Sequence, residues 1–150
     1  MFLDEIFSTP IWGFDLDLDV DSMKYWCYGC MKENPGRVIS NVGGWQSEDY
    51  RRFTNTPLLE LIGVILKESH HIASDLGIPE GERWVENLWI NINPKYSYNQ
   101  VHVHPEARLS GVFYVSAPEN SGDICFTRSG GYALGTVAPN QTRYSNAEWC

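Results

Sequence analysis

The sequence contains no long hydrophobic run. None of its apolar stretches approaches the length of a membrane-spanning helix, and the first residues, Met1 to Glu5, contain no basic group ahead of an apolar segment. Neither a membrane span nor a secretory signal is therefore predicted. We expect a cytoplasmic protein that has no membrane partner.

Positive charge is also scarce. Eleven Lys and Arg residues stand against 19 Asp and Glu residues, which gives a formal net charge of −8. A surface of this sign repels polyanions such as DNA over much of its area. We therefore expect no direct nucleic-acid partner.

Cysteine is infrequent, and its spacing indicates no framework of disulfides. The chain has four cysteines, of which Cys27 and Cys30 have the C-x-x-C spacing of redox and zinc sites. That pair lacks a second pair and a βαβ setting, so a structural role is the favoured interpretation. Cys125 and Cys150 are assigned no function.

The remaining composition predicts one globular domain over residues 1–150. With 43% hydrophobic and 13% aromatic residues in 150, the chain is long enough to bury one core.

Residues 21–33 predict a helix that starts at Asp21 or Ser22 and ends at Pro35. The glycine pair of the segment 40–47 predicts an ordered loop.

A second, longer helix is predicted from Pro57 to about Leu76, with Thr56 as its N-cap and Gly77 after its end. Its apolar residues recur at three- and four-residue spacing, so the helix should cover a sheet. The residues of this stripe are Leu58, Ile62, Ile65, Ile72 and Leu76.

The rest of the chain reads as short strands. They are predicted at 7–20, 84–93, 99–104, 109–117 and 123–127. A mainly β fold with flanking helices (α+β) follows, with an N-terminal strand and helices in 1–80 and core strands in 84–150. An antiparallel barrel or sandwich fits this order, and the double-stranded β-helix, or jelly roll, is one version.

The strongest chemical signal is His102-Val103-His104 on a predicted strand. Residues two apart on a strand point to the same face, so the two imidazoles could bind one metal ion. The alternative is an ordinary polar strand face, which for an isolated His-x-His is about as frequent.

Several longer stretches favour the metal site. They are IFSTPIW at 6–12, the loop SNVGGWQS at 40–47, WININ at 89–93, YNQVHVHP at 98–105, LSGVFYV at 109–115 and SGDICF at 121–126. Together they resemble a family of 2-oxoglutarate and iron(II) oxygenases from bacteria and tailed phages that is related to prolyl 4-hydroxylases. The resemblance covers nearly the whole chain.

The resemblance implies a jelly roll in which iron binds a first His, a carboxylate or second His two residues later, and a distal His. His102 matches the first ligand. His104 stands where many relatives have Asp, so the site would be one unit more positive than usual, or His104 would orient another group instead of binding the metal.

The distal part of the pattern has no match. The only other histidines, His70 and His71, come earlier in the chain, and the family's basic residue for 2-oxoglutarate also lies beyond the distal His. Arg108, Arg128 and Arg143 are candidates by charge alone. We therefore expect a jelly roll that is incomplete at its C-terminus, and unpaired strand edges that favour a homo-oligomer.

The resemblance also implies polar contacts to 2-oxoglutarate on neighbouring strands, and the candidates are Asn91, Asn93 and Tyr114. A hydrogen bond within the fold is an equally good explanation of each.

The sequence thus predicts a non-haem Fe(II), 2-oxoglutarate-dependent dioxygenase that hydroxylates an unactivated C–H bond of a small-molecule, peptide or protein substrate. Its cofactors would be Fe(II) and 2-oxoglutarate. Two alternatives stay open: a cupin-like metal-binding protein, for which Glu106 follows the histidines too closely, and a non-catalytic jelly-roll binding module.

Overall fold

The computed structural model describes residues 9–52, 57–105 and 107–127, and the backbone of 133–137. This part of the chain is an α+β arrangement with short antiparallel strands. In chain order the elements are α1 Val20–Glu33, β1 Asn41–Val42, β2 Trp45–Gln46, α2 Leu58–Asp75, β3 Asn91–Ile92, β4 Tyr98–Asn99, β5 Ile124–Thr127 and β6 Ala133–Val137.

The predicted helix at 21–33 is confirmed as α1, although its cap is not the one expected. Asp19 is the N-cap, and its Oδ1 accepts a 3.0 Å hydrogen bond from the N–H of Ser22. The short side chain of Asp19 can satisfy an N–H that the first helical turn leaves without a partner. The helix ends at Asn34, directly before the proline.

The predicted second helix is confirmed as α2, and Gly77 follows it with a φ of +65°. Thr56, the expected cap, lies outside the described residues. The expected apolar stripe is correct at Leu58 and Ile62, which are buried, but wrong at Leu76, which is exposed. Leu76 is the C-cap, where the helix has already ended.

The strands form three antiparallel pairs among the described residues: β1 with β4, β2 with β3, and β5 with β6. Gly43 and Gly44 separate β1 from β2, and Gly43 has a φ of +74°, which glycine adopts at little cost. The chain can therefore turn sharply here, and the predicted loop at 40–47 contributes one short strand to each of two ladders.

Four of the predicted strands are wrong or much shorter than expected. The described residues 9–19 and 109–117 contain no strand, 84–93 contains only an isolated bridge at Leu88 and β3, and 99–104 keeps only Asn99 in a strand. Alternating side chains suit a strand, but a strand also needs a partner for its N–H and C=O groups. The strand at 123–127 is confirmed as β5.

The core lies between α1, the first turns of α2 and the segment around Ile90. Its buried residues are Met23, Cys27, Leu58, Leu61 and Ile90. Helices of 14 and 18 residues outweigh the short strands of the described part, so "mainly β" is wrong there, and these strands do not form a jelly roll. Within that part, no helix is both long and apolar enough to cross a membrane.

Candidate metal centre

The segment that precedes β1 is held by one buried amide side chain. Asn41 accepts a hydrogen bond from the N–H of Ile39 at 2.9 Å and donates to the carbonyls of Arg37 at 3.2 Å and Gly44 at 2.9 Å. The Asn41 side chain therefore joins the two ends of the turn that runs from Arg37 to Gly44. A buried amide that satisfies three partners is expensive to replace.

The same segment contacts the chain just before the two histidines. Asn41 pairs with Asn99 in the β1–β4 ladder, and the N–H of Gln100 donates to the carbonyl of Ser40 at 2.7 Å. This last bond continues the ladder by one residue. It fixes the Gln100 peptide two residues ahead of His102.

His102 has a hydrogen bond that decides its tautomer. Its Nδ1 lies 2.6 Å from the carbonyl oxygen of Gln100. A carbonyl oxygen can only accept, so Nδ1 is the protonated nitrogen and donates. In the neutral ring the lone pair is then on Nε2, which is the atom available to a metal ion.

His104 lies beside His102. Their ring centres are 4.8 Å apart and their planes are nearly perpendicular, at 86°. Two imidazoles that bind one ion at about 2.1 Å each have ring centres roughly 4.5–5 Å apart. The other neighbour of His104 is Trp89, at 5.3 Å between ring centres.

The electrostatics favour a neutral His104. Desolvation of its ring lowers the pKa of His104, and the positive charge that His102 acquires on protonation lowers that pKa further. A metal ion binds only the neutral imidazole. His104 is thus in the state in which it can act as a ligand at neutral pH.

The histidines therefore come together although the strand that predicted their common face is absent at 100–104. Their role as metal ligands stays a prediction. Two imidazole nitrogens fit part of a metal site, but no group of three or more His, Cys, Asp or Glu side chains able to hold a metal occurs among the described residues.

A cluster of three asparagines lies on β3, β4 and the residue after β3. Asn93 donates to Asn99 Oδ1 at 2.8 Å, and Asn99 donates to Ser40 Oγ at 3.3 Å and approaches Asn91 Oδ1 at 3.5 Å. The two predicted 2-oxoglutarate contacts, Asn91 and Asn93, are thus brought together and are both exposed. A Cβ on Gly44 would collide with Asn93.

The structure does not join the third predicted contact, Tyr114, to the described asparagines or histidines by any hydrogen bond. Burial raises the pKa of Tyr114, and the nearby charge of Asp123 raises it further, so its hydroxyl keeps its proton and can donate. Arg108 is exposed, and the other two basic candidates, Arg128 and Arg143, lie outside the described residues.

Four residues of this centre were missed by the sequence prediction: Ser40, Asn41, Asn99 and Gln100. Two of them act through backbone atoms, which every residue possesses, so no side-chain pattern could identify them. Asn99 had a signal, because its amide lies three residues before His102 and repeats the residue type of Asn91 and Asn93.

One protein family matches the part of the chain that contains the two histidines. The sequence model of a family described as "Putative 2OG-Fe(II) oxygenase" matches residues 87–149, which is less than half of the chain. The segment includes both histidines, Asn91, Asn93 and Tyr114. Searches of curated proteins and of solved structures found no match.

The matched family defines a class: oxidoreductases that use Fe(II) and 2-oxoglutarate. Over residues 87–149 this chain is similar to that family, which supports an oxidoreductase of the 2-oxoglutarate and Fe(II) type, as the sequence predicted. The two cofactors of the family are the two predicted from the sequence.

Proposed function

We propose that this chain is a non-haem Fe(II), 2-oxoglutarate-dependent dioxygenase with hydroxylase activity, and that His102 and His104 bind the iron. Two findings in the same segment of the chain support this most directly. The family match spans 87–149, and within that range the His102 tautomer leaves Nε2 free beside His104.

The two imidazoles would give the iron a more positive site than the His and Asp pair of many relatives. A neutral His104 does not cancel any of the ion's charge, so the dianionic 2-oxoglutarate is attracted more strongly. Further ligands would have to come from outside the described residues, from 2-oxoglutarate or from another small anion.

Three polar side chains of the matched segment would suit the cosubstrate. Asn91 and Asn93 offer amide N–H groups to a carboxylate, and Tyr114 offers a phenol that stays protonated at neutral pH. When bound, iron and 2-oxoglutarate supply the oxidising power, while the protein binds and orients them. The substrate would be a small molecule, peptide or protein. The family resemblance favours a jelly roll for the domain as a whole, although the described strands form only three separate pairs.

The first test is an anaerobic titration of the chain with Fe(II) in the presence of 2-oxoglutarate. Chelation of iron by 2-oxoglutarate in the site should produce a weak visible charge-transfer band that saturates at one equivalent. His102→Ala removes the Nε2 ligand and should abolish the band.

His71→Ala is the matched control, because His71 is a surface histidine on α2 that pairs with Glu68 at 2.9 Å. This variant should titrate like the unmodified chain. Absence of the band in the unmodified chain, or equal loss of it in both variants, would contradict the proposed site.

A second candidate is a non-catalytic binding module or a cupin-like metal protein that uses the same two histidines. The observation in its favour is the lack of a third metal-binding side chain among the described residues. Conversion of 2-oxoglutarate to succinate separates the candidates. Fe(II) binding without succinate formation, even with added candidate substrates, would favour the binding module.

A further inference from the structure

Three hydrogen-bonded links connect the buried Asn41 to His102. Asn41 fixes the turn that contains Ser40, the Ser40 carbonyl accepts from the Gln100 N–H at 2.7 Å, and the Gln100 carbonyl accepts from His102 Nδ1 at 2.6 Å. Asn41 and His102 are 61 positions apart in sequence. The connection therefore exists only in the folded chain.

Each link restrains the next through Gln100, whose N–H and carbonyl belong to the two planar peptide groups on either side of its Cα. If the Gln100 N–H is held by Ser40, the plane of the 99–100 peptide is fixed, and the conformation of Gln100 then sets the direction of its own carbonyl. That carbonyl holds the proton on His102 Nδ1. A free imidazole can instead place its proton on Nε2, which would block the metal-binding lone pair.

We propose that Asn41 is a positioning residue for His102: through Ser40 and the Gln100 peptide, it holds the His102 ring in the tautomer and orientation that leave Nε2 free for a metal ion. The metal part of this inference rests on the proposed function. Asn41 itself has no contact with His102, so it acts only through this relay.

This positioning role would account for the many hydrogen bonds at the turn that contains Ser40 and Asn41. Ser40 and Asn41 are both buried, and Asn99, on the strand opposite, donates to Ser40 Oγ at 3.3 Å. Ser40 is thus held at two points, at its hydroxyl by Asn99 and at its carbonyl by the Gln100 N–H. Groups that orient a metal ligand typically change metal affinity by about ten- to 100-fold when they are removed.

The decisive experiment is imidazole ¹⁵N NMR of the metal-free chain at about pH 8, where histidine is neutral. His102 should show the Nδ1–H tautomer. In Asn41→Ala this signal should change to a mixture of the two tautomers. Asn34→Ala is the matched control, since Asn34 caps a backbone carbonyl of α1 at 3.4 Å and has no link to His102.

Gln100→Pro breaks the relay at a later link, because it removes the N–H that donates to the Ser40 carbonyl and leaves the side chain of Asn41 in place. It should give the same loss of the Nδ1–H tautomer, and it replaces Asn41→Ala as the test if that variant does not fold. An unchanged His102 tautomer in a folded Asn41→Ala or Gln100→Pro chain would overturn the inference.

Anaerobic Fe(II) titration supplies the second readout. Asn41→Ala should weaken Fe(II) binding by about ten- to 100-fold, while Asn34→Ala should not. If the unmodified chain binds no Fe(II), the proposed function fails, whereas the NMR result still decides whether Asn41 positions His102. Unchanged Fe(II) affinity in Asn41→Ala, with the band present, would overturn the positioning role.

Discussion

At the scale of single residues, the thiols of α1 show how burial changes chemistry. Cys27 is buried in the core, and this burial, assisted by the neighbouring Cys30, raises the pKa of its thiol to about 11. Burial also raises the pKa of Tyr50, as does its side-chain hydrogen bond with Cys30. Both facts favour a structural role for this C-x-x-C pair over a redox role, which needs an accessible thiolate.

Cys27 should therefore resist alkylation. The thiolate is the reactive form, and a pKa raised to about 11 means that Cys27 stays protonated at pH 7 and gains little thiolate by pH 9. Iodoacetamide at about pH 8 should label the exposed Cys125 much faster than Cys27, as measured by mass spectrometry of timed digests. Equal rates at the two positions in the folded chain would contradict the assigned burial.

At the scale of elements, α2 has a sharp division between its buried and exposed faces. Leu58 and Leu59 are adjacent, yet Leu58 is 3% exposed and Leu59 is 44% exposed. The 100° rotation between successive helical residues separates them. Leu58 packs in the core with Met23 of α1 and Ile90, so it joins three parts of the chain.

Leu58→Ala should lower the free energy of unfolding by about 2–5 kcal/mol, because it removes buried methyl groups and leaves a cavity. Leu59→Ala is the matched control and should cost about 0.5 kcal/mol or less, since Leu59 is exposed and lies outside the buried core cluster. Urea denaturation of both variants, followed by circular dichroism, measures the difference. Similar losses for the two leucines would show that α2 packs through another face.

At the scale of the whole molecule, the segment after β4 is notable for its exposure. Val101 and Val103 are 73% and 79% exposed, and residues 101–104 lie in no strand. An exposed segment that pairs with no strand of the described part is a candidate for pairing with another chain. The two valines alternate with His102 and His104, so pairing of this segment with a second copy would involve the candidate metal centre.

We accordingly expect the chain to self-associate in a concentration-dependent manner through this segment. Val103→Lys should weaken association, because a charge on an unpaired segment opposes pairing with a second copy. Val38→Lys, at a valine that is 83% exposed elsewhere, is the control and should have no effect. Sedimentation velocity at increasing concentration measures the change, and a monomer at every concentration would refute the expectation.

Much of the local structure could be predicted from the sequence. The extent of both helices follows closely from local signals, which are Pro35 after α1 and Pro57 and Gly77 around α2. The cap of α1 is Asp19 and not the expected Asp21 or Ser22. The proximity of His102 and His104 also follows from neighbours in the chain, since a two-residue spacing in extended backbone places both side chains on one side.

The extent of the strands and the hydrogen bonds that orient His102 depended on tertiary structure. Asn41 pairs with Asn99, and Ser40 binds the Gln100 N–H, across about 60 residues of intervening chain. Alternating side chains mark a segment as able to form a strand, but backbone pairing requires a partner that only the folded chain brings near. The sequence alone therefore determined which residues are available for metal chemistry. Tertiary structure decided which nitrogen of His102 carries the proton, because the carbonyl that accepts this proton is oriented by a contact between distant segments.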